Sequence, residues 1–430
     1  MTASTAEGAP VAALRAALLC LLALLMPTGL FMAVAAPVVE ETLPLFAAPG
    51  IAVGEVVALL VIAAYGQRRT WHWPRVAWPF ALLVLLALIT TPLALSPRLA
   101  LFTTVRWAIA LLLLLVLSQP NVPWRAMRRC FLLGLALQVA VVVAQVATQG
   151  PLGLPGEMAL WPEQSGAAVL TVGGQRWLRG YGLTFHPNLL GGFLAAGLVL
   201  TLPLLRDLRW RLLWLWLALG LLLTFSRSAW LATALTVPPL ALWLGRRWPA
   251  LRRPLLLTLG SALLFAAIAA VPLAPQLLSR LSPPPPTGTE SFALTERAVL
   301  TRIAIDFIGA EPLTGVGAGN FAVAMRDAGF AERPQPVHNV TLLLAAELGF
   351  HGALVWVALW LLPVATTDLR RSPWSPTLLA AWLALSLIAL WDFYPWGLSE
   401  GRLLLVTLLA WGQVDEFNEF DEFKSLGVGS

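Results

Sequence analysis

Long apolar runs separated by short polar segments dominate the chain. Many of the runs reach the roughly 20 residues that a helix needs to cross a bilayer. The pattern predicts an all-α, polytopic membrane protein whose helices are surrounded by lipid. About 12 transmembrane helices can be placed, at about 16–36, 50–66, 78–95, 99–117, 130–149, 185–205, 211–225, 228–244, 254–272, 339–365, 376–393 and 401–414.

Composition agrees with this prediction, because 59% of the 430 residues are hydrophobic and 12% are charged. A soluble domain carries about twice that share of charged residues. Cys20 and Cys130 both lie in apolar runs, with neither a disulfide framework nor a metal-ligand spacing around them. Lys424 is the single lysine among 28 basic residues. The others are arginines, which suit forked hydrogen bonds to phosphate, and no nucleic-acid partner is predicted.

The arginines between the spans predict the orientation of the chain. If both termini are cytoplasmic, every cytoplasmic loop carries at least two arginines, as the positive-inside rule requires. Two long segments, about 150–184 and 273–338, then lie on the outer side. The cytoplasmic loop arginines are Arg68, Arg69, Arg75, Arg125, Arg128, Arg129, Arg206, Arg209, Arg211, Arg246, Arg247, Arg252, Arg253, Arg370 and Arg371.

The chain divides into a transmembrane domain, residues 1–414, and a polar C-terminal tail, residues 415–430. A native and an appended origin of this tail are both compatible with its sequence. The segment 273–338 is a large outer loop inserted between spans 9 and 10. It opens with Pro283 to Pro286, which cannot continue a helix.

The large outer loop contains a predicted helix and a predicted turn. The helix runs from Phe292 to Ile308 and is amphipathic, as expected for a helix on or near a membrane surface. Its apolar face consists of Phe292, Val299, Ile303 and Phe307. The glycine-rich stretch from Gly315 to Gly319 follows it and is predicted to form a flexible turn.

Arg227 is the most unusual arginine on the outer side. It lies between two spans with almost no loop, so the tip of the hairpin is expected to enter the membrane boundary. One explanation is a side chain that snorkels to the headgroups from the end of a span. The other is an anion site, for which Ser226 and Ser228 supply further donors.

Arg106 and Arg179 are further candidates for the same anion. Arg106 lies about two turns into its span, where it either contacts a ligand or pairs with Asp392 or Glu55. Arg179 lies in the first outer segment, and its simpler explanation is a solvated charge.

Arg297 and Arg302 lie on the predicted amphipathic helix. Five residues correspond to about 140° of helix rotation, so only one of the two is expected to address a ligand. Arg302 and Asp306 have the i, i+4 spacing of a surface ion pair, which makes Arg297 the better candidate.

The four histidines differ in predicted position. His72 is cytoplasmic, and His186 begins a span on the outer side. His351 lies about 20 Å along its span from His338 and is predicted to be a buried structural residue. Only His338 combines the outer boundary with the end of the arginine-bearing loop. It is therefore the candidate general base, since an imidazole titrates near neutral pH.

At these residues the sequence resembles the O-antigen ligase and polymerase family, over roughly residues 175–365. The run Arg227–Leu231 is similar to the family's Arg-x-x-x-Leu element. His338, with ten residues between it and Gly349, is similar to its His-to-Gly element. The stretches Arg179–Asn188 and Pro312–Phe321 resemble looser signatures of the family.

The resemblance implies a GT-C-like membrane glycosyltransferase in the inner membrane of a bacterium, active at the periplasmic face. The protein is expected to be a monomer. It would transfer a glycan from undecaprenyl pyrophosphate to a sugar hydroxyl of lipid A-core in lipopolysaccharide biosynthesis. The reaction would invert the anomeric centre and need no ATP, metal or other cofactor. His338 would be the catalytic base, and the pyrophosphate would be bound by Arg106, Arg179, Arg227, Arg297 and Arg302.

Other functions remain open at this stage. A polymerase would use a second lipid-linked repeat as its acceptor, and a protein O-oligosaccharyltransferase would use a protein. A transporter of the same lipid would leave the glycosidic bond intact and is expected to show internal repeats and charges at the membrane midplane. The sequence shows no clear repeat, and its outer arginines cluster at one face. A non-catalytic lipid-binding scaffold would explain the arginines but not His338.

Overall fold

The computed structural model describes residues 9–34, 49–66, 71–281, 289–330 and 334–413. The described residues are 71% helical, which confirms that the protein is mainly α-helical. Several predicted features lie outside the described residues, namely the proline run at 283–286, Arg68, Arg69, the side chain of Phe292 and the tail at 415–430.

The first half of the chain consists of helices and two short antiparallel strand pairs. Its elements are α1 (Ala9–Leu25), β1 (Phe31–Ala33), β2 (Gly50–Ala52), α2 (Val53–Tyr65), α3 (Ala77–Thr90), α4 (Pro97–Leu117), α5 (Trp124–Thr148), β3 (Val169–Val172) and β4 (Gln175–Leu178). The second half is helical in its described part. Its elements are α6 (Pro187–Thr201), α7 (Leu208–Thr224), α8 (Arg227–Arg247), α9 (Pro249–Ala270), α10 (Ala274–Leu281), α11 (Thr289–Ala310), α12 (Phe321–Asp327), α13 (Val340–Thr366), α14 (Trp374–Ile388), α15 (Tyr394–Gly397) and α16 (Ser399–Gln413).

Some helix ends differ from the predicted spans. Helix α1 ends at Leu25, shortly before Pro27, although the first span is predicted to reach residue 36. Helix α5 begins at Trp124, so Arg128 lies in its first turns rather than in a loop. Arg128 is buried there, with its guanidinium 4.1 Å from the ring centre of Trp374. Some of the arginines that were assigned to cytoplasmic loops therefore lie at helix ends.

Six of the described helical segments are long and apolar enough to cross a membrane. They are α4, α5, α8, α9, α13 and the segment Pro187–Leu204, which begins with α6. Shorter apolar helices occur at Pro10–Leu25, Val53–Tyr65, Ala77–Leu93 and Trp374–Ile388. These helices support a membrane protein, whereas the number of twelve spans stays a prediction.

Helix α6 lies at the centre of the bundle. All of its residues are buried, and it packs against α7, α8 and α14. Glycines permit this close packing, because a side chain at Gly191 would contact Ser226 and one at Gly192 would overlap the hydroxyl of Tyr394. By contrast, only 11% of an apolar 18-residue stretch of α9 is buried. The start of α6 is thus a rigid point between neighbouring helices.

The two long segments predicted on the outer side contain secondary structure. The first includes the hairpin of β3 and β4, which is not expected from the apolar pattern of the sequence. The second includes α10, α11 and α12. Helix α11 packs against α13, with Leu300 and Ile303 buried and Phe307 5.5 Å from the ring of Phe321. Val299, which was predicted on this face, is 45% exposed, so the buried face is rotated toward Leu300.

The glycine-rich turn is not a flexible connection, because it docks against a break in α13. At Gly349 the backbone has φ 71° and ψ −177°, a conformation that glycine adopts far more readily than other residues. The amide of Val316 donates to the carbonyl of Ala346 at 2.9 Å, and that of Gly317 donates to Glu347 at 3.0 Å. The break explains in physical terms why a glycine is needed at the end of the His-to-Gly element.

Replacing Gly349 with alanine is expected to destabilise the protein by about 3 kcal/mol or more, because the strained backbone alone costs about 1–3 kcal/mol. The added Cβ would also overlap the carbonyl oxygens of Pro312 and Leu313. The midpoint of thermal unfolding in detergent measures the loss. Gly260→Ala is the matched control, since a Cβ at Gly260 in α9 would have nothing within 4 Å. Equal midpoints for the two variants would contradict the structural role of the break.

Candidate active site

His338 lies where the second outer segment joins α13. The following residue, Asn339, caps the helix by accepting a hydrogen bond from the amide of Leu342 at 2.9 Å. The Asn339 side chain also donates to the carbonyl of Leu390 at 3.0 Å. The cap therefore ties the start of α13 to the end of α14 and fixes the backbone beside His338.

The imidazole of His338 faces the carboxylate of Asp392, which follows α14. The Nδ1 atom lies 3.5 Å from Asp392 Oδ1, an ion-pair contact that is longer than a strong hydrogen bond. Nδ1 is buried and has no hydrogen bond to any described residue. The His338 side chain is 19% exposed, and its Nε2 is neither buried nor bonded within the described chain. This nitrogen is available to a ligand.

Asp392 is held by two hydrogen bonds besides its contact with His338. Its Oδ1 accepts from the amide of Phe393 at 3.0 Å, and its Oδ2 accepts from Asn188 Nδ2 at 3.0 Å. Asn188 lies in the first turn of α6, and its Oδ1 accepts from Arg179 Nη2 at 2.6 Å. A continuous chain of polar contacts thus runs from Arg179 through Asn188 and Asp392 to His338.

The surroundings of Asp392 favour its charged form. Burial alone would raise the pKa of its carboxyl group, yet the pKa lies well below the ordinary value. The contact with His338 and the charge of Arg297 outweigh the burial. Asp392 is therefore ionised at neutral pH and can stabilise a proton on the His338 imidazole.

Two buried arginines fix the tip of the α7–α8 hairpin. Arg179 Nε donates to the carbonyl of Thr224 at 2.9 Å, and Arg280 donates twice to the carbonyl of Phe225, at 3.0 and 2.8 Å. Phe225 has a left-handed backbone, with φ 49°, and turns the chain into α8. Arg227 is the first residue of α8. Its side chain is half-buried and has no hydrogen bond or ion pair with the described residues.

The first turn of α8 offers several donors to an anion. The hydroxyl oxygens of Ser226 and Ser228 lie 3.4 Å apart on either side of Arg227. The first amides of a helix lack acceptors within the helix and favour negative charge. A Cβ at Gly191 would lie 3.3 Å from Ser226 Oγ, so this turn adjoins the start of α6, where Asn188 meets Asp392.

Arg297 is a second half-buried arginine, and its side chain has no hydrogen bond or ion pair in the described part of the chain. It lies on α11, and its charge acts on both Asp392 and His186. Arg302 is exposed, and the ion pair with Asp306 that its spacing suggested is not formed between these two described residues. The structure therefore brings Arg297 toward the Asp392 end of the site and leaves Arg302 at the surface.

Arg106 is engaged elsewhere in the bundle. Its Nε lies 2.8 Å from Glu55 Oε1, and its Nη2 donates to Ser399. Arg402 approaches the same Glu55 oxygen at 3.6 Å and donates to the carbonyl of Trp396 at 2.6 Å. Of the two partners considered for Arg106, Glu55 is the one observed. Its Nε therefore stabilises a buried carboxylate and its Nη2 is bonded to a hydroxyl group, which leaves little of this side chain for a phosphate.

The remaining histidines occupy three different environments. His186 precedes α6, and its Nδ1 accepts from the amide of Asn188 at 3.1 Å. His351, predicted to be buried, is half-buried and stacks on Phe350 with ring centres 3.9 Å apart. His72 is exposed.

Asp392 and Asn188 belong to this site although the sequence did not indicate them as site residues. The sequence suggests Asp392 only as a partner for Arg106, yet a carboxylate in so apolar a region is itself a functional signal. Asn188 gives no such signal, because its contact with Asp392 joins residues 204 positions apart.

Comparison with known protein families gives a match over part of the chain. The family model described as O-Antigen ligase matches residues 212–357, which include Arg227, Arg297, Arg302 and His338. Arg106, Arg179 and the Asp392 segment lie outside the matched region. No curated protein matches this chain. The match over residues 212–357 supports the assignment of this chain to the O-antigen ligase family.

Proposed function

We propose that this protein transfers a glycan from undecaprenyl pyrophosphate to a sugar hydroxyl of lipid A-core, at the periplasmic face of the bacterial inner membrane. The observation that carries the proposal is the His338–Asp392 pair, together with two half-buried arginines, Arg227 and Arg297, whose side chains form no hydrogen bond or ion pair in the described chain. A base and a pyrophosphate site are the two parts that this transfer requires. The family match supports this class of reaction.

In the proposed reaction, His338 Nε2 accepts the proton of the acceptor hydroxyl group. The acceptor oxygen forms a bond to the anomeric carbon while the bond from that carbon to the pyrophosphate oxygen breaks. The proton stays on the imidazole, and the electron pair leaves with undecaprenyl pyrophosphate. Asp392 stabilises the resulting imidazolium through Nδ1, 3.5 Å away, a distance that can shorten when substrate binds. A single displacement of this kind inverts the anomeric centre.

Arg227 and Arg297 bind the pyrophosphate and stabilise the charge that develops on the leaving oxygen. Guanidinium groups suit this role because their donors form a planar fork that matches two phosphate oxygens. The first turn of α8 adds the hydroxyl groups of Ser226 and Ser228. Arg179 orients Asn188 and the hairpin tip. Arg302 is a peripheral contact in this proposal, and Arg106 is a structural residue.

Deletion of the gene in its host tests the assignment to the ligase reaction. The proposal predicts that lipid A-core then carries no polymer, while lipid-linked glycan accumulates. Lipid A-core that retains a single repeat unit would instead indicate a polymerase. Loss of polymer with the lipid-linked glycan held on the cytoplasmic side would instead indicate a transporter and would contradict the proposal, as would unchanged attachment of polymer.

A further inference from the structure

We propose that His186 contacts the substrate, as an uncharged donor whose Nε2–H binds a phosphate oxygen of the lipid-linked glycan. This inference rests on the proposed function, because it places a third group on the pyrophosphate that Arg227 and Arg297 bind. It concerns a residue outside the region of the family match.

The hydrogen bonding of His186 fixes which ring nitrogen carries the proton. Its Nδ1 accepts from the amide of Asn188 at 3.1 Å, as part of the N-terminal cap of α6. A neutral imidazole has one donor and one acceptor nitrogen, so Nε2 carries the hydrogen. The role of Nδ1 in the cap thus leaves Nε2–H as the only polar group of the ring that can reach a ligand.

The surroundings of His186 keep it neutral. Burial and the positive charge of Arg179 lower the pKa of His186 to about 3, and Arg297 and His338 act in the same direction against the opposing charge of Asp392. Because its acceptor nitrogen is occupied by the cap, His186 does not compete with His338 as a base. It can only donate.

The Nε2–H group is available within the described structure. His186 is half-buried, and its Nε2 is neither buried nor bonded to a described residue. Asp392 is the nearby carboxylate, but its oxygens already accept from Phe393 and Asn188 and face His338. Within the described structure, the Nε2–H group of His186 is therefore free to donate to a ligand.

A phosphate oxygen suits this donor better than a sugar hydroxyl group. The charges of Arg179 and Arg297 both act on His186, so an electronegative oxygen is favoured at its Nε2. Arg297 is also one of the two proposed pyrophosphate ligands. A neutral donor adds a hydrogen bond there without adding repulsion between cations.

Two substitutions of His186 distinguish its role as an Nε2–H donor from its role in the N-terminal cap of α6. In His186→Asn, the amide oxygen can still accept from the Asn188 amide, but no group reaches the position of Nε2. In His186→Gln, the longer amide places an N–H near that position. We expect the thermal unfolding midpoint of His186→Asn to stay near that of the wild type, whereas its kcat/KM for the donor falls about 10- to 100-fold. His186→Gln should recover part of this loss.

Binding of undecaprenyl pyrophosphate to the purified proteins distinguishes failure of this inference from failure of the proposed function. We expect His186→Asn to bind the lipid at least about tenfold more weakly than the wild type. Equal affinities in a folded variant would overturn the contact, even if the transfer reaction is confirmed. Weaker binding without any transfer by the wild type would uphold the contact and overturn the reaction. A wild type that does not bind the lipid would overturn both.

Discussion

Replacing His338 with alanine is expected to lower the rate of glycan transfer by about 10²–10⁴-fold, the usual contribution of a positioned general base. The variant loses the only candidate base whose second nitrogen is open to a ligand and whose first faces an ionised carboxylate. Folding should persist, because Asp392 keeps its hydrogen bonds to Phe393 and Asn188. The single-turnover rate with bound donor measures the effect.

Two further variants accompany His338→Ala: a control outside the site, and a variant for which a smaller loss of rate is expected. His72→Ala removes an exposed histidine that lies outside the site and should leave transfer unchanged. Asp392→Asn keeps the shape of the side chain but removes the charge that stabilises the imidazolium, so its rate should fall between wild type and His338→Ala. Product formed at near wild-type rate by folded His338→Ala would remove this histidine from the mechanism.

Replacing Arg227 with alanine is expected to lower kcat/KM for the lipid-linked donor by about 10²–10³-fold, as for the loss of one donor to a developing oxyanion. Arg227→Lys should recover only part of this activity, because an ammonium group retains the charge but lacks the fork. The side chain has no hydrogen bond or ion pair to lose among the described residues, so the unfolding midpoint should change little. Initial rates over a range of donor concentrations test both variants.

Arg209→Lys provides the control for the Arg227 series. Arg209 is exposed near the opposite end of α7, where it pairs with Asp207 at 3.2 Å. Its replacement should leave transfer unchanged. Full activity of Arg227→Lys would argue against two-point binding of phosphate, and full activity of Arg227→Ala would exclude this arginine from the site.

The sequence predicts much of the architecture because the apolar runs specify helices directly. It also draws attention to the histidine and the arginines that are proposed for the site, since charges at a membrane boundary are conspicuous. It could not predict how those arginines are used. Glu55 was one of two partners considered for Arg106, and Arg179 was expected to be solvated, yet Arg179 is buried and orients Asn188. Such choices depend on contacts between residues far apart in the chain.

Local pattern was misleading where tertiary packing determines the outcome. Gly315 to Gly319 look flexible by composition, but hydrogen bonds to α13 hold this turn at the break near Gly349. Val299 has the spacing of a buried residue, yet α11 packs through Leu300 instead. Neither result follows from helix periodicity alone, because both depend on where α13 lies.

The anomeric configuration of the product tests the central claim most directly. Purified protein would be combined with undecaprenyl-pyrophosphate glycan and lipid A-core, with EDTA and without ATP, and the new linkage examined by NMR. A base at His338 and a single displacement predict a product whose anomeric configuration is inverted relative to the donor, with undecaprenyl pyrophosphate released in equal amount. A product with retained configuration would contradict this mechanism, and a donor that stays intact beside folded protein would contradict the reaction itself.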